Sequence, residues 1–260
     1  MLKNTFAALA IAALTVAASA PSHADEALDS VIKRGTVRIV TLGSLPPFTQ
    51  LTPTGEMEGY EIDIGNRLAK ELGVKAEFAV TDSAGRVASL QTKKADLTIA
   101  DFTRTVQRST VIAFSDPYLI TYQQAMLMTD SPVKTSADLN DAKYRVGFNR
   151  GGVGEKTVEK WFPNAQKSRY AGNADALSAL LAGQVDAIVE DAYYNAEIIQ
   201  KYDGKVRQLP EKLTRLEIAI AMPAGNPDWL RVVNLWIEQF NASGENAELF
   251  KKWFGVEMLK

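Results

Sequence analysis

Short apolar runs alternate with amphipathic segments along almost all of this 260-residue chain, and few architectures tolerate that order. Strand-like runs fall at residues 37–41, 76–80, 97–100, 145–148 and 187–189. Apolar spacing of helical period occupies 62–72, 87–91, 155–161, 174–181, 193–201, 227–241 and 247–254. Strands and helices taken in turn predict an α/β fold built of mostly parallel sheets flanked by helices. In the segment 227–241, Trp229, Val232, Val233, Trp236, Ile237 and Phe240 form one broad apolar face, expected to be core rather than a ligand platform. A chain of this length can bury a large core as one or two domains. Two extended, alternating segments, 122–129 and 216–222, stand at the edges of the middle third and read as crossovers between two lobes.

The chemistry concentrates in Asp96-Leu-Thr-Ile-Ala-Asp-Phe-Thr-Arg-Thr-Val-Gln-Arg108, followed by Phe114-Ser-Asp-Pro-Tyr118. A short apolar strand runs into an acid, Asp101, then a threonine, Thr103, and five residues later an arginine, Arg108. The strand end can present a hydroxyl and backbone amides, and an arginine one turn into the next helix can bring its planar fork of donors to the same point. That set suits a small carboxylate. A buried strand, a turn and a surface arginine would explain the spacing as well. The loop Asn149-Arg-Gly-Gly-Val-Gly154 precedes a predicted helix, and its glycines let backbone N–H groups approach an anion at the helix's positive end. A plain strand-to-helix turn accounts for it too. Asp191 follows the strand 187–189 and opens the next helix, where it suits either a ligand or an N-cap.

The N-terminus reads as a secretory signal peptide. It has one early positive charge at Lys3, an apolar run over 6–18, and the small-x-small site Ser22-His-Ala24. Cleavage would leave residues 25–260, expected to be a soluble exported protein of the periplasm. The chain has no cysteine, hence no lipobox for a lipid anchor, and its one histidine, His23, lies in the leader. Ser-His and Cys-His catalysis and the usual structural zinc sites are thereby excluded, and no cofactor is expected. Without Lys3 the 29 basic residues become 28 against 31 acidic, a net charge near −3 with no basic run, so nucleic acid is not an expected partner.

The motif Asp-x-x-x-Ala-x-Phe-Thr-x-Thr-x-x-Arg with Phe-Ser-x-Pro-Tyr resembles the ligand-binding segment of the polar amino-acid family of periplasmic solute-binding proteins, which feed ABC importers. Gly59-Tyr-Glu-Ile-Asp63, Val146-Gly-Phe-Asn-Arg-Gly151 and Val185-Asp-Ala-Ile-Val-Glu-Asp191 resemble further family segments, in order across nearly the whole mature chain. The resemblance implies the two-lobed type II fold with paired hinge strands. Lobe one would comprise 25–121 plus 221–260, and lobe two 122–220 with the hinge strands. It implies a monomeric receptor that captures an L-amino acid by cleft closure and hands it to a membrane permease. Arg108 would clamp the α-carboxylate, Thr103 would add a hydrogen bond, and Asp191 would take the α-ammonium. The amides of Gly152 and Val153 would support the carboxylate, although Val153 replaces the family's usual hydroxyl residue. Arg86, with Ser83 beside it, resembles the arginine that reaches the side-chain carboxylate in glutamate and aspartate binders. Aromatic residues typical of basic amino-acid binders are missing at Ser83 and Leu45. Glutamate or aspartate is therefore expected first, glutamine or asparagine second, and basic amino acids third. Asp101 departs from the family's small or hydroxylated residue; it could assist Asp191 or pair with Arg86 or Arg104. The alternatives are a cyclohexadienyl-dehydratase-like enzyme on the same fold, or a receptor for another small carboxylate.

Overall fold

The computed structural model describes residues 26–258; the leader and its cleavage site lie outside the described residues. Nine strands form one sheet in the order Lys75–Val80, Thr36–Thr41, Leu97–Thr98, Thr214–Pro223, Ile112–Met128, Ala187–Asp191, Arg145–Asn149, Gln166–Tyr170, with Val206–Gln208 paired to Ile112–Met128 off this path. The first three strands are mutually parallel, as are the last three. Helices follow these strands within each half, as the alternation requires.

Two lobes therefore share one curled sheet rather than holding separate ones. The reason is the length of the crossing strands. Ile112–Met128 has 17 residues, about 55 Å of extended chain, enough to run through both halves. It pairs antiparallel with Thr214–Pro223 over most of that strand's length. The register shifts between Ile218 and Ala219 and again before Ala221, opposite Pro117. Proline has no N–H to give the ladder, so an irregularity at this point is the expected local outcome.

The largest apolar cluster runs through both halves, from Trp229 and Ile237 to Leu180, Ile188 and Ile198, and a second lies within lobe two alone. Trp229, Val233, Trp236, Ile237 and Phe240 of the helix Pro227–Ala242 are buried in lobe one, as their spacing predicts. Phe148, Val158, Phe162 and Val189 belong to the cluster of lobe two. The strand Gln166–Tyr170 lies outside the sequence-based expectation because its residues, Gln-Lys-Ser-Arg-Tyr, show no apolar alternation. Charged residues on an edge strand discourage further pairing, which suits its place at the end of the sheet.

Local devices at the strand ends set up the cleft. Asp96, first residue of the central motif, is scaffold: it accepts from the Arg38 amide at 2.8 Å and from the guanidinium groups of Arg34 and Arg38 at 2.5 and 2.7 Å. Gly59 sits at φ +135, where a Cβ would fall 2.3 Å from the Phe48 carbonyl oxygen. Only glycine lets the helix Tyr60–Glu71 start so close to the preceding chain, and that start aims Glu61 inward. No described helix is long and apolar enough to cross a membrane.

Candidate functional site

The ends of these strands meet around a cavity of about 30 Å3, space for a water or two. Lobe one contributes Leu42, Ser83, Arg86, Asp101, Thr103 and Arg108 to its wall. Asn149, Gly152, Val153, Gly154, Asn173 and Glu190 come from lobe two, and Gln123 and Leu216 from the crossing strands. Seven of the eight residues singled out from sequence thus line one cavity; Asp191 does not.

Arg108 is positioned by its own helix cap. Thr105 accepts the Arg108 amide through its hydroxyl at 3.2 Å, starting the short helix Val106–Ser109. The guanidinium donates Nη1 to the Thr103 carbonyl at 2.6 Å and Nη2 to the Gly151 carbonyl at 2.8 Å. The second bond crosses the cleft. Burial, and then the neighbouring Arg86 cation, push its pKa down to about 9, which leaves it charged at neutral pH. Its carbon stands 4.6 Å from the Phe102 ring centroid, and that of Arg86 at 4.5 Å from the same ring.

Arg86 is buried and largely committed. Its Nε donates to the Ser83 carbonyl at 3.0 Å, and Nη1 to those of Ala100 and Asp101 at 2.8 and 3.1 Å. Nη2 reaches the Gly151 carbonyl at 3.4 Å. These bonds use most of its five N–H groups, so the donors that an acidic ligand side chain would need are already on the backbone.

The opposite charge is in excess. Glu190 accepts from Asn149 Nδ2 at 2.5 Å and from the Asp191 amide at 3.0 Å. Asp191 serves as N-cap of the helix Ala192–Lys201, accepting the Tyr193 and Tyr194 amides at 2.7 and 3.4 Å. Its chain neighbour Glu190 takes the place on the cavity wall. Asp191 keeps its other carboxylate oxygen, Oδ2, buried without a hydrogen-bond partner. Glu61, fully buried, accepts the Asp101 amide at 2.6 Å and the Tyr118 hydroxyl at 2.5 Å. Asp101 itself has φ +44, an unusual conformation for any residue but glycine. Its Oδ1 is buried without a hydrogen-bond partner, and so are Gln123 Oε1 and Asn149 Oδ1. In the loop after Asn149, the Gly152 amide closes a turn onto the Asn149 carbonyl at 3.2 Å, so it is already engaged on the backbone. Val153 ends that loop at the start of the helix Gly154–Trp161, with no side-chain cap.

Burial pushes the carboxyl groups of Glu61, Glu190 and Asp191 up to about 7, and that of Asp101 well above its ordinary value. A carboxyl group whose folded pKa is raised takes up a proton on folding. Its contribution to stability is complete below the unfolded value near 4 and is lost as pH rises through 7. The ligand-free protein is therefore expected to melt at a lower temperature at about pH 8 than at about pH 5.5. Calorimetry at the two values checks this; an equal or higher melting temperature at the upper pH would contradict it.

The family model for bacterial extracellular solute-binding proteins, family 3, matches residues 37–256. The L-cystine-binding protein TcyJ of Escherichia coli strain K12 is 31% identical over 251 residues, covering 95% of this chain and 94% of that protein. The L-arginine-binding protein of Pseudomonas aeruginosa is 25% identical, covering 85% and 89%. The crystal structure of the ancestral amino acid-binding protein AncCDT-1, described as a precursor of cyclohexadienyl dehydratase, matches with a TM-score of 0.82 at 33% identity. That match covers 87% of this chain and 99% of the other.

Proposed function

Since this chain belongs to family 3 of the bacterial extracellular solute-binding proteins, we propose that it captures a polar amino acid between its lobes and delivers it to the membrane permease of an ABC importer. One observation carries the reading: the guanidinium groups of lobe one, Arg108 and Arg86, and a carboxyl group of lobe two, Glu190, line a single cavity. Arg108, with Thr103, takes the α-carboxylate. Glu190, next to Asp191 at the end of the strand Ala187–Asp191, is the anionic pole for the α-ammonium. Val153 and Ser83 complete the wall. On this reading the mature protein works in the periplasm, as a monomer without a lipid anchor.

The mechanism is a population shift. Each lobe alone offers half a site to water, and the ligand binds the closed form better because only there are both poles engaged. Moving the equilibrium from 1:99 to 99:1 takes roughly 5.5 kcal/mol of such preference. Two ion pairs with well-made hydrogen bonds, each bond to a charged group worth about 1.5–3 kcal/mol, are of the right size.

A receptor is favoured over an enzyme. The relatives just named carry names of amino-acid-binding proteins, and even the dehydratase precursor is called one. Among polar ligands, the acidic side chain suggested by Arg86 loses its support, because that guanidinium is spent on carbonyl groups. Neutral and cationic side chains are favoured instead.

The test is a thermal-shift screen of protein unfolded and refolded to strip any carried-over ligand. At a thousandfold excess over Kd a true ligand adds about 4 kcal/mol, or about 8–16 °C for a chain of this size. A common polar amino acid is expected to give a shift of that order. If none moves the melting temperature, the receptor reading fails.

A further inference from the structure

We propose that Asp101 sets ligand choice, and that it selects an amino acid with a second positive charge on its side chain. The inference rests on the receptor reading above and narrows its substrate class.

Charge balance supplies the first argument. Asp101 and Glu190 line the cavity, with Glu61 and Asp191 buried around them, against two guanidinium groups, Arg86 and Arg108. Burial keeps these carboxyl groups partly protonated in the free protein, so they ionise fully only beside an added cation; a cationic side chain supplies one, a zwitterion adds no net charge, and an acidic ligand works against them. Each uncompensated carboxylate in such a place is costly to keep ionised.

Hydrogen bonding supplies the second, independently of charge. Gln123 and Asn149, each 5% exposed, line the cavity with Asp101, and each of the three has one buried acceptor oxygen with no hydrogen-bond partner. The Asn149 amide is held in its orientation by the bond from Nδ2 to Glu190. The unmet demand in the wall is therefore for N–H donors. An ammonium or guanidinium tip supplies them; a carboxylate supplies none. No aromatic ring lines the cavity, so a cation here would be held by carboxylate and amide oxygens rather than by stacking.

The backbone explains why this carboxylate stays available. The Asp101 amide is fixed by Glu61, and its carbonyl by Arg86 Nη1. Arg86 thus binds the main chain of Asp101 where pairing with its side chain was one expectation. Arg104, the other expected partner, pairs with Glu217 at 2.6 Å and Asp116 at 3.8 Å instead. A left-handed φ of +44, clamped at both peptide groups, directs the side chain without any partner for its Oδ1.

Calorimetric titration of refolded wild type, Asp101→Asn and Asp101→Gly with L-lysine, L-ornithine, L-glutamine and L-glutamate tests the proposal. Asparagine keeps the shape and tolerates the backbone, while glycine suits the positive φ, so one variant covers a folding failure of the other. Wild type is expected to bind lysine or ornithine at least about tenfold tighter than glutamine. That ratio should fall about tenfold in both variants. Equal or tighter binding of glutamine or glutamate by wild type, or an unchanged ratio in the folded variants, overturns the role of Asp101 and leaves the receptor reading standing. If the wild type binds none of these and no other amino acid, the receptor reading itself is at fault.

Discussion

Replacing Arg108 with alanine is expected to abolish amino-acid binding while leaving the free protein folded. Removing one partner of a buried charge pair costs about 3–5 kcal/mol, because the other charge stays desolvated and unpaired. That corresponds to roughly two to four orders of magnitude in Kd. With the cleft open the side chain keeps only its bond to the Thr103 carbonyl and its place over the Phe102 ring, so the melting temperature should fall by a few degrees at most. Titration calorimetry with the best ligand from the screen, beside circular dichroism of the free variant, separates the two effects. Binding within threefold of wild type would mean that the ligand's carboxylate is held elsewhere.

A second variant, Gly151→Ala, is expected to weaken binding without touching a ligand-contacting side chain. Gly151 has φ +79, and a Cβ there would lie 2.7 Å from Ala84 Cα and 2.9 Å from its amide nitrogen. Gly151 belongs to lobe two and Ala84 to lobe one, so the collision exists only when the cleft is shut. The left-handed strain is present in both states and cancels from the closure equilibrium. Overpacking against backbone costs about 1–3 kcal/mol, and this falls on the closed form alone. Affinity should drop about 5- to 150-fold, while the left-handed strain, about 1–2 kcal/mol, lowers the free protein's melting temperature by about 2–8 °C. Small-angle scattering should show a weaker contraction on adding the same concentration of ligand. Undiminished affinity would show that the lobes need not approach this closely.

Much of this arrangement follows from sequence, and the parts that do not share a cause. The strands and helices announce themselves by period, and the segment from Asp101 to Arg108 is contiguous, so its residues arrive together at one strand end. Gly152 and Val153 are read from the glycines of their loop in the same way. Partnerships across the fold are different. Nothing near Arg86 in sequence says that the carbonyls of Ala100 and Asp101, fourteen and fifteen residues on, will take its donors. Glu61 lies 40 residues from the Asp101 amide it holds, and only its place after Gly59 hints that it turns inward. Glu190 reaches the cavity wall beside Asp191, a neighbour that sequence alone does not single out. Periodicity reports what faces a core, whereas pairing reports which loop ends happen to meet.

The irregular ladder in the crossing strands has one more implication. Where pairing with Ile112–Met128 slips, Ile218 bridges to Thr103, the Arg104 amide donates to the Glu217 carbonyl at 2.9 Å, and the Ala219 amide to the Phe102 carbonyl at 3.2 Å. The segment proposed to hold the solute is thereby tied to the irregular stretch of the connector. On the proposed mechanism, a pull on Thr103 by an arriving molecule passes straight to the place where the ribbon's ladder is already broken, which joins capture to bending.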